Sequence, residues 1–148
     1  MPSIIPGWVY SLFASLVVGV IIVASCSLAT VNVKNEAETQ QMANLAQYVA
    51  TQSLILITHV STDNQNATQY LSLPTQVGDQ VYWISLANDS AAAWVSCGFG
   101  FTANLNQTGV TIPAQVNASG IYVSTYGRPV LECNCVNNTV TLTLTGES

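Results

Sequence analysis

Two hydrophobic patterns divide the chain near residue 60. From Trp8 to Val33 the residues read WVYSLFASLVVGVIIVASCSLATVNV, apolar on every helical face and without a charge. About 20 such residues span a bilayer core as a helix. The hydroxyls of Ser11, Ser15, Ser25, Ser27 and Thr30 can bond to the carbonyl four residues back, so they permit burial in lipid. Ser3, Pro6 and Gly7 mark the start, and Pro6 suits a first helical turn. Lys34-Asn-Glu-Ala-Glu38 then carries on in polar, helix-compatible residues. Met42, Leu45, Ala46, Val49, Ser53 and Leu56 fall at i, i+3, i+4, i+7 spacing on one helical face. Leu54, Ile55, Leu56 and Ile57 make the end of the run apolar all round. No Gly or Pro occurs between Gly19 and Pro74. The pattern predicts one continuous helix from about Pro6 to about His59, roughly 80 Å long at 1.5 Å per residue.

Such a helix raises a burial problem. A bilayer covers its first half only. The second half, with its Leu-Ile-Leu-Ile end, needs protein on several sides. A strand domain of about 85 residues covers one side, and the remainder asks for neighbouring copies.

After His59 the period changes. STDNQNATQ reads as a polar loop and Val77-Gly-Asp-Gln80 as a turn. Strands are predicted over Val81–Leu86, Ala92–Phe101, Thr108–Ile112, Gly120–Thr125 and Pro129–Val136. In the last segment Val140, Leu142 and Leu144 alternate with Thr139, Thr141, Thr143 and Thr145. Asn137-Asn138 before it suits a tight hairpin turn. The expected class is therefore α+β: a long N-terminal hydrophobic helix over residues 1–60, then a small antiparallel β-sandwich or barrel over 61–148.

Composition narrows the chemistry. Charged residues are 6% of the 148 and hydrophobic residues 49%. Disorder needs the opposite balance. Lys34 and Arg128 stand alone against seven acids, for a net charge of −5. Nucleic-acid binding and polybasic contact with anionic lipid both require clustered Lys and Arg, so both are excluded. The polar residues are mostly Ser, Thr, Asn and Gln, which solubilise weakly. A surface of that kind is usually covered by glycan or by other subunits. A single histidine, His59, rules out metal sites built from two histidines of one chain.

Few residues remain as candidates for chemistry. Cys26 lies in the apolar run and reads as a small buried hydrophobe. Cys133 and Cys135 share a strand face, and either could pair with Cys97 in a disulfide, which would place residues 61–148 outside the cytoplasm. A lone CxC is a weak metal motif and has no second pair. Five N-x-S/T sequons begin at Asn66, Asn88, Asn106, Asn117 and Asn137, all after residue 60 and in or near predicted turns. In an external domain they are acceptors for N-linked glycan. His59 reads as a helix C-terminal residue. Glu36 and Glu38 do not face each other on a helix and read as solvated or intersubunit contacts. Trp83, Trp94 and the tyrosines read as core or interface packing. No catalytic constellation and no cofactor motif is present in this reading, so the chain is not expected to be an enzyme.

An apolar N-terminal segment running unbroken into an amphipathic helix, followed by a small β domain, resembles the layout of type IV pilins. Ile5 stands where bacterial members usually carry a glutamate. The Val17-Val-Gly-Val-Ile-Ile-Val-Ala24 run, the sequons and the strand-rich C-terminal part are more similar to archaeal type IV pilins and archaellins. Leu71-Ser-Leu-Pro-Thr-Gln-Val-Gly-Asp-Gln-Val-Tyr-Trp-Ile84 also resembles the segment that leads into the β domain of archaeal pilin-like proteins. The resemblance covers the whole layout through motifs of low specificity. It implies an immunoglobulin-like β domain and a filament that assembles from copies of the chain held in the membrane beforehand. The helices would bundle through Trp8, Phe13, Leu16, Val20, Ile21, Val23, Leu28, Leu45, Val49, Leu54, Leu56 and Ile57. Glycosylated β domains would form the outside of an extracellular filament serving adhesion, or propulsion if an archaellum. Two other readings are a single-span envelope protein with an external β domain and a membrane-tethered redox domain using Cys133 and Cys135.

Overall fold

The computed structural model describes residues 5–63, 65–89, 91–103, 109–136 and 139–147, with side chains from Gly7 onward. One helix, α1 (Ile5–Asp63), is followed by seven strands: β1 (Ala67–Tyr70), β2 (Tyr82–Asn88), β3 (Ala93–Phe99), β4 (Val110–Ile112), β5 (Asn117–Val123), β6 (Arg128–Val136) and β7 (Thr139–Glu147). The class is α+β. The chain divides into two compact units, Met1–Ala37 and Glu38–Ser148. The division expected at residue 60 thus falls about two dozen residues earlier, because the second half of α1 is part of the strand unit's own core.

In the first unit α1 carries no charged residue from Ile5 to Val33. Its polar side chains turn back on the helix as expected. Ser25 Oγ donates to the Ile21 carbonyl at 2.8 Å, and Thr30 Oγ1 donates to the Cys26 carbonyl at 2.9 Å. Such bonds let hydroxyls sit in an apolar surface without unmet polar groups.

In the second unit α1 presents Met42, Ala46, Val49, Ala50, Leu56, Ile57 and Val60 to the core. These spacings of three and four residues put one stripe inward. The stripe joins Tyr82, Ile84 and Leu86 of β2, Val95 of β3, Leu131 and Cys133 of β6, and Leu142 and Leu144 of β7 in a single cluster. Burying each Val, Leu or Ile side chain is worth about 1.5–3 kcal/mol. Helix α1 runs four residues beyond the predicted end, to Asp63, and Thr62 Oγ1 bonds back to the Thr58 carbonyl at 2.8 Å in that added turn.

The strands form one sheet in the order β1-β6-β7-β5-β2-β3-β4. It is mixed, not purely antiparallel: β5 and β7 run parallel, with Gly120 opposite Leu144. The cause is local. The four residues between β5 and β6 are too few for a long excursion, yet β7 pairs antiparallel along β6 and takes the place next to β5. The β5–β6 connection must therefore cross the end of β7. It does so at Gly146, where a Cβ would collide with the Tyr126 carbonyl. β1 is a further departure. Ala67–Tyr70 lies in what reads as a polar loop, but pairs along β6 from Ala67 opposite Cys133 to Tyr70 opposite Val130. The edge of β6 supplies the backbone partners that its side-chain pattern does not announce. The predicted strand over Thr108–Ile112 is present as β4 from Val110, and Thr108 lies outside the described residues.

Candidate functional site

The most unusual surface belongs to the first unit. Every described side chain from Gly7 to Ala37 is exposed. These include large apolar groups such as Trp8 at 68%, Phe13 at 67%, Val23 at 66% and Leu28 at 68% exposure. Leu16, Val20 and Ile21 belong to the same surface. A stretch of this helix is long and apolar enough to cross a membrane. Leu16, Gly19, Val20, Val23 and Ala24 line a shallow apolar notch in it, centred where Gly19 has no side chain. Small residues in such a position let another helix approach closely.

The other five residues expected to hold copies together sit differently. Val49, Leu56 and Ile57 are buried, and Leu45 and Leu54 are half-buried. Val49, Leu56 and Ile57 join the strand unit's core, with Leu45 packed against it. The strands of the same chain cover this face, the one side of the second half of α1 that a strand domain was expected to cover. Ile55 alone of the Leu-Ile-Leu-Ile run stays exposed.

Glu38 also departs from its expected role. Glu36 is exposed as anticipated, but Glu38 is buried, lying against Gly78 in the Val77–Gln80 turn. No spacing signal marks this long-range contact. Of the tryptophans, Trp83 is buried and Trp94 half-buried. His59 is exposed one turn before the helix end, beside Asp63 and Asn66 in a shallow depression.

Asn66, Asn88 and Asn117 are exposed, while Asn106 and Asn137 lie outside the described residues. Asn88 and Asn117 meet at one polar cleft of about 310 Å³, together with Asp89, Gln115 and Thr139, the last residue of the Asn137 sequon. Asn88 Oδ1 accepts the Ala118 N–H at 3.2 Å, tying two sequons together. Asp89 closes the adjoining turn by accepting the Ala91 and Ala92 N–H groups at 2.8 and 2.9 Å. Those two bonds, that from Ala92 first, hold its carboxyl below the usual aspartate range. Asn66 Oδ1 accepts the Cys135 N–H at 3.4 Å.

Cys97 forms no disulfide with Cys133 or Cys135, the pairing expected from the sequence. Cys97 lies on β3, and β6 carries the other two, with β2, β5 and β7 between them in the sheet. Its Sγ is instead 3.5 Å from the Met42 carbonyl of α1, to which it donates. Burial pushes the Cys97 thiol up in pKa, and burial with Cys135 nearby does the same for Cys133. Cys26 is exposed on α1, among the apolar side chains of the first unit. Among the described residues no three His, Cys, Asp or Glu side chains are grouped to hold a metal ion.

Arg128 went unremarked as a site residue. Its guanidinium lies over the Tyr70 ring, 5.3 Å from the centroid. That pairing exists only because β1 joins the sheet beside β6, so no local motif marks it.

No protein-family model matches the chain, and neither a curated protein nor a solved structure matches it.

Proposed function

We propose that this chain is the structural subunit of an extracellular helical filament of the archaeal pilus kind. The single observation that carries the proposal is the uncharged segment Trp8–Val33, a helix with its described apolar side chains exposed on every face. Water cannot be its working surroundings, since apolar area left exposed costs about 25 cal/mol per Å². In this reading the segment is held in the membrane before assembly and by the same segment of other copies afterwards. Trp8, Phe13, Leu16, Val20, Ile21, Val23 and Leu28 make those contacts. The strand unit faces outward as an immunoglobulin-like domain, carries N-linked glycan on its sequons and serves surface adhesion. What supports this part of the reading is the predominance of antiparallel pairing, five of the six strand pairs among the described residues, although all seven strands join one mixed sheet and not two facing ones. The reading needs no catalysis and no cofactor.

The test is electron microscopy of material sheared from cells that make the protein, with mass spectrometry to identify the chain. Filaments with α1 at their centre are the expected result. A chain that stays in the membrane fraction, with no filament containing it, overturns the proposal. One observation favours a second reading under that outcome. Because the chain's own strands cover Leu56 and Ile57, a bilayer around residues 8–33 is enough for a single-span envelope anchor.

A further inference from the structure

The strand unit holds six of the seven acids, Glu38, Asp63, Asp79, Asp89, Glu132 and Glu147, and one Lys or Arg, Arg128. That cation lies on the rim of a pocket of about 280 Å³, shared with Tyr70, Ser72, Leu73, Thr75 and Pro129. Its guanidinium lies over the Tyr70 ring in cation–π contact. Among the described residues its N–H groups make no hydrogen bond and no ion pair. Glu147 is its cross-strand partner in register, yet the guanidinium turns to the ring. A guanidinium held to a ring by its charge still has N–H donors to offer a bidentate acceptor. The phenol of Tyr122 is occupied, donating to the Gly127 carbonyl at 3.2 Å. The hydroxyls of Ser72 and Thr75 offer donors and acceptors on another wall, while Leu73 and Pro129 give an apolar one.

We propose that this pocket binds a carboxylate-bearing sugar of the uronic acid class, with the carboxylate on Arg128 and the ring lying in the pocket beside Ser72 and Thr75. A pocket of about 280 Å³ has room for one sugar ring. Charge selects the acid. One guanidinium matches one carboxylate in bidentate geometry. A phosphate dianion would bring two negative charges to one cation in a unit that is already net negative. The mixed lining of hydroxyls and apolar carbons matches a sugar, which carries both, better than a simple aliphatic acid. The proposal names a ligand class for the adhesive role above, but the pocket lies wholly in the strand unit and does not rest on filament assembly.

The experiment is a titration of the full chain in detergent, followed by NMR or calorimetry, with glucuronate, glucose and inorganic phosphate as probes. Glucuronate is expected to bind, and glucose at least about tenfold more weakly, because a charge-assisted bidentate pair is worth more than one factor of ten. Arg128→Gln is expected to remove that preference, and Glu147→Gln to raise affinity by relieving a nearby like charge. Unchanged thermal melts of both variants show that the fold is intact. Equal binding of phosphate, equal binding of glucose, or no binding of glucuronate overturns the proposal. So does a result in which Arg128→Gln alters self-association while glucuronate does not bind, since Arg128 is then a contact between copies.

Discussion

The carboxylate of Glu38 occupies the space in front of Gly78 that a side chain there would need. Gly78 has a φ of +61° and sits in a turn closed by two backbone hydrogen bonds between Val77 and Gln80, each 3.1 Å. Glu38 begins the strand unit. The contact therefore pins the point at which α1 joins its strands. Gly78→Ala adds a left-handed residue and a collision with Glu38. It is expected to destabilise the strand unit by about 1–2 kcal/mol, mostly from the backbone term, since the Glu38 side chain can swing aside. A thermal melt followed by circular dichroism checks this, and an unchanged midpoint contradicts it.

Two valines on one helix should behave in opposite ways. Val49 is completely buried and Val23 is 66% exposed. Val49→Ala removes two methyl groups from the core and is expected to cost about 1.5–3 kcal/mol in denaturant unfolding of the strand unit. Val23→Ala should leave that transition where it is. Equal effects at both positions would mean that the division of α1 is wrong.

A charge tests the exposed segment. Ile21→Lys places an ammonium group in the middle of the uncharged run. Either a bilayer or a bundle of helices must then take it up, at about 2.5–3.5 kcal/mol in a membrane centre. Sedimentable assemblies and membrane retention should both fall, while the melting of the strand unit stays the same. Retention of normal assemblies would exclude Ile21 from the contact surface.

Alkaline pH should destabilise the fold. Burial raises the Tyr82 and Tyr122 phenols above their ordinary value of 10.0, and the Cys97 and Cys133 thiols above 9.0. A group that ionises less readily when folded contributes stability that is complete below its unfolded value. That contribution is lost as pH rises through the folded one. The melting midpoint should therefore hold up to about pH 9 and decline above it. Asp89 has the opposite sign: its lowered carboxyl contributes above its ordinary value of 3.8 and ceases to as pH falls. Melts across the pH range read both arms.

The same buried thiols should resist modification. Iodoacetamide at neutral pH is expected to reach the half-buried Cys135 of the strand unit well before the buried Cys133. Peptide mass spectrometry gives the order, and full modification of Cys133 in the folded chain would contradict its burial.

Periodicity alone was enough for the outline of this protein. Side chains repeating at 3.6 residues without a helix breaker specify α1, and the Thr alternation from 139 to 145 specifies β7, because both signals are local. An uncharged run of this length also needs no structure to show that water is the wrong solvent for it. Which side of a helix is covered by its own chain is a different kind of fact. The stripe from Met42 to Val60 was legible, but an apolar stripe looks the same whether a strand or a second copy covers it. Only the packing of Val49 and Ile57 against β2, β6 and β7 assigned it to this chain. β1, the parallel β5–β7 pair, Glu38 against Gly78 and Arg128 over Tyr70 were invisible for one shared reason. Each joins residues 20 or more positions apart, through the order of strands in the sheet or, for Glu38 and Gly78, through the meeting of α1 with a turn, and side-chain pattern does not record which backbone edges and elements meet.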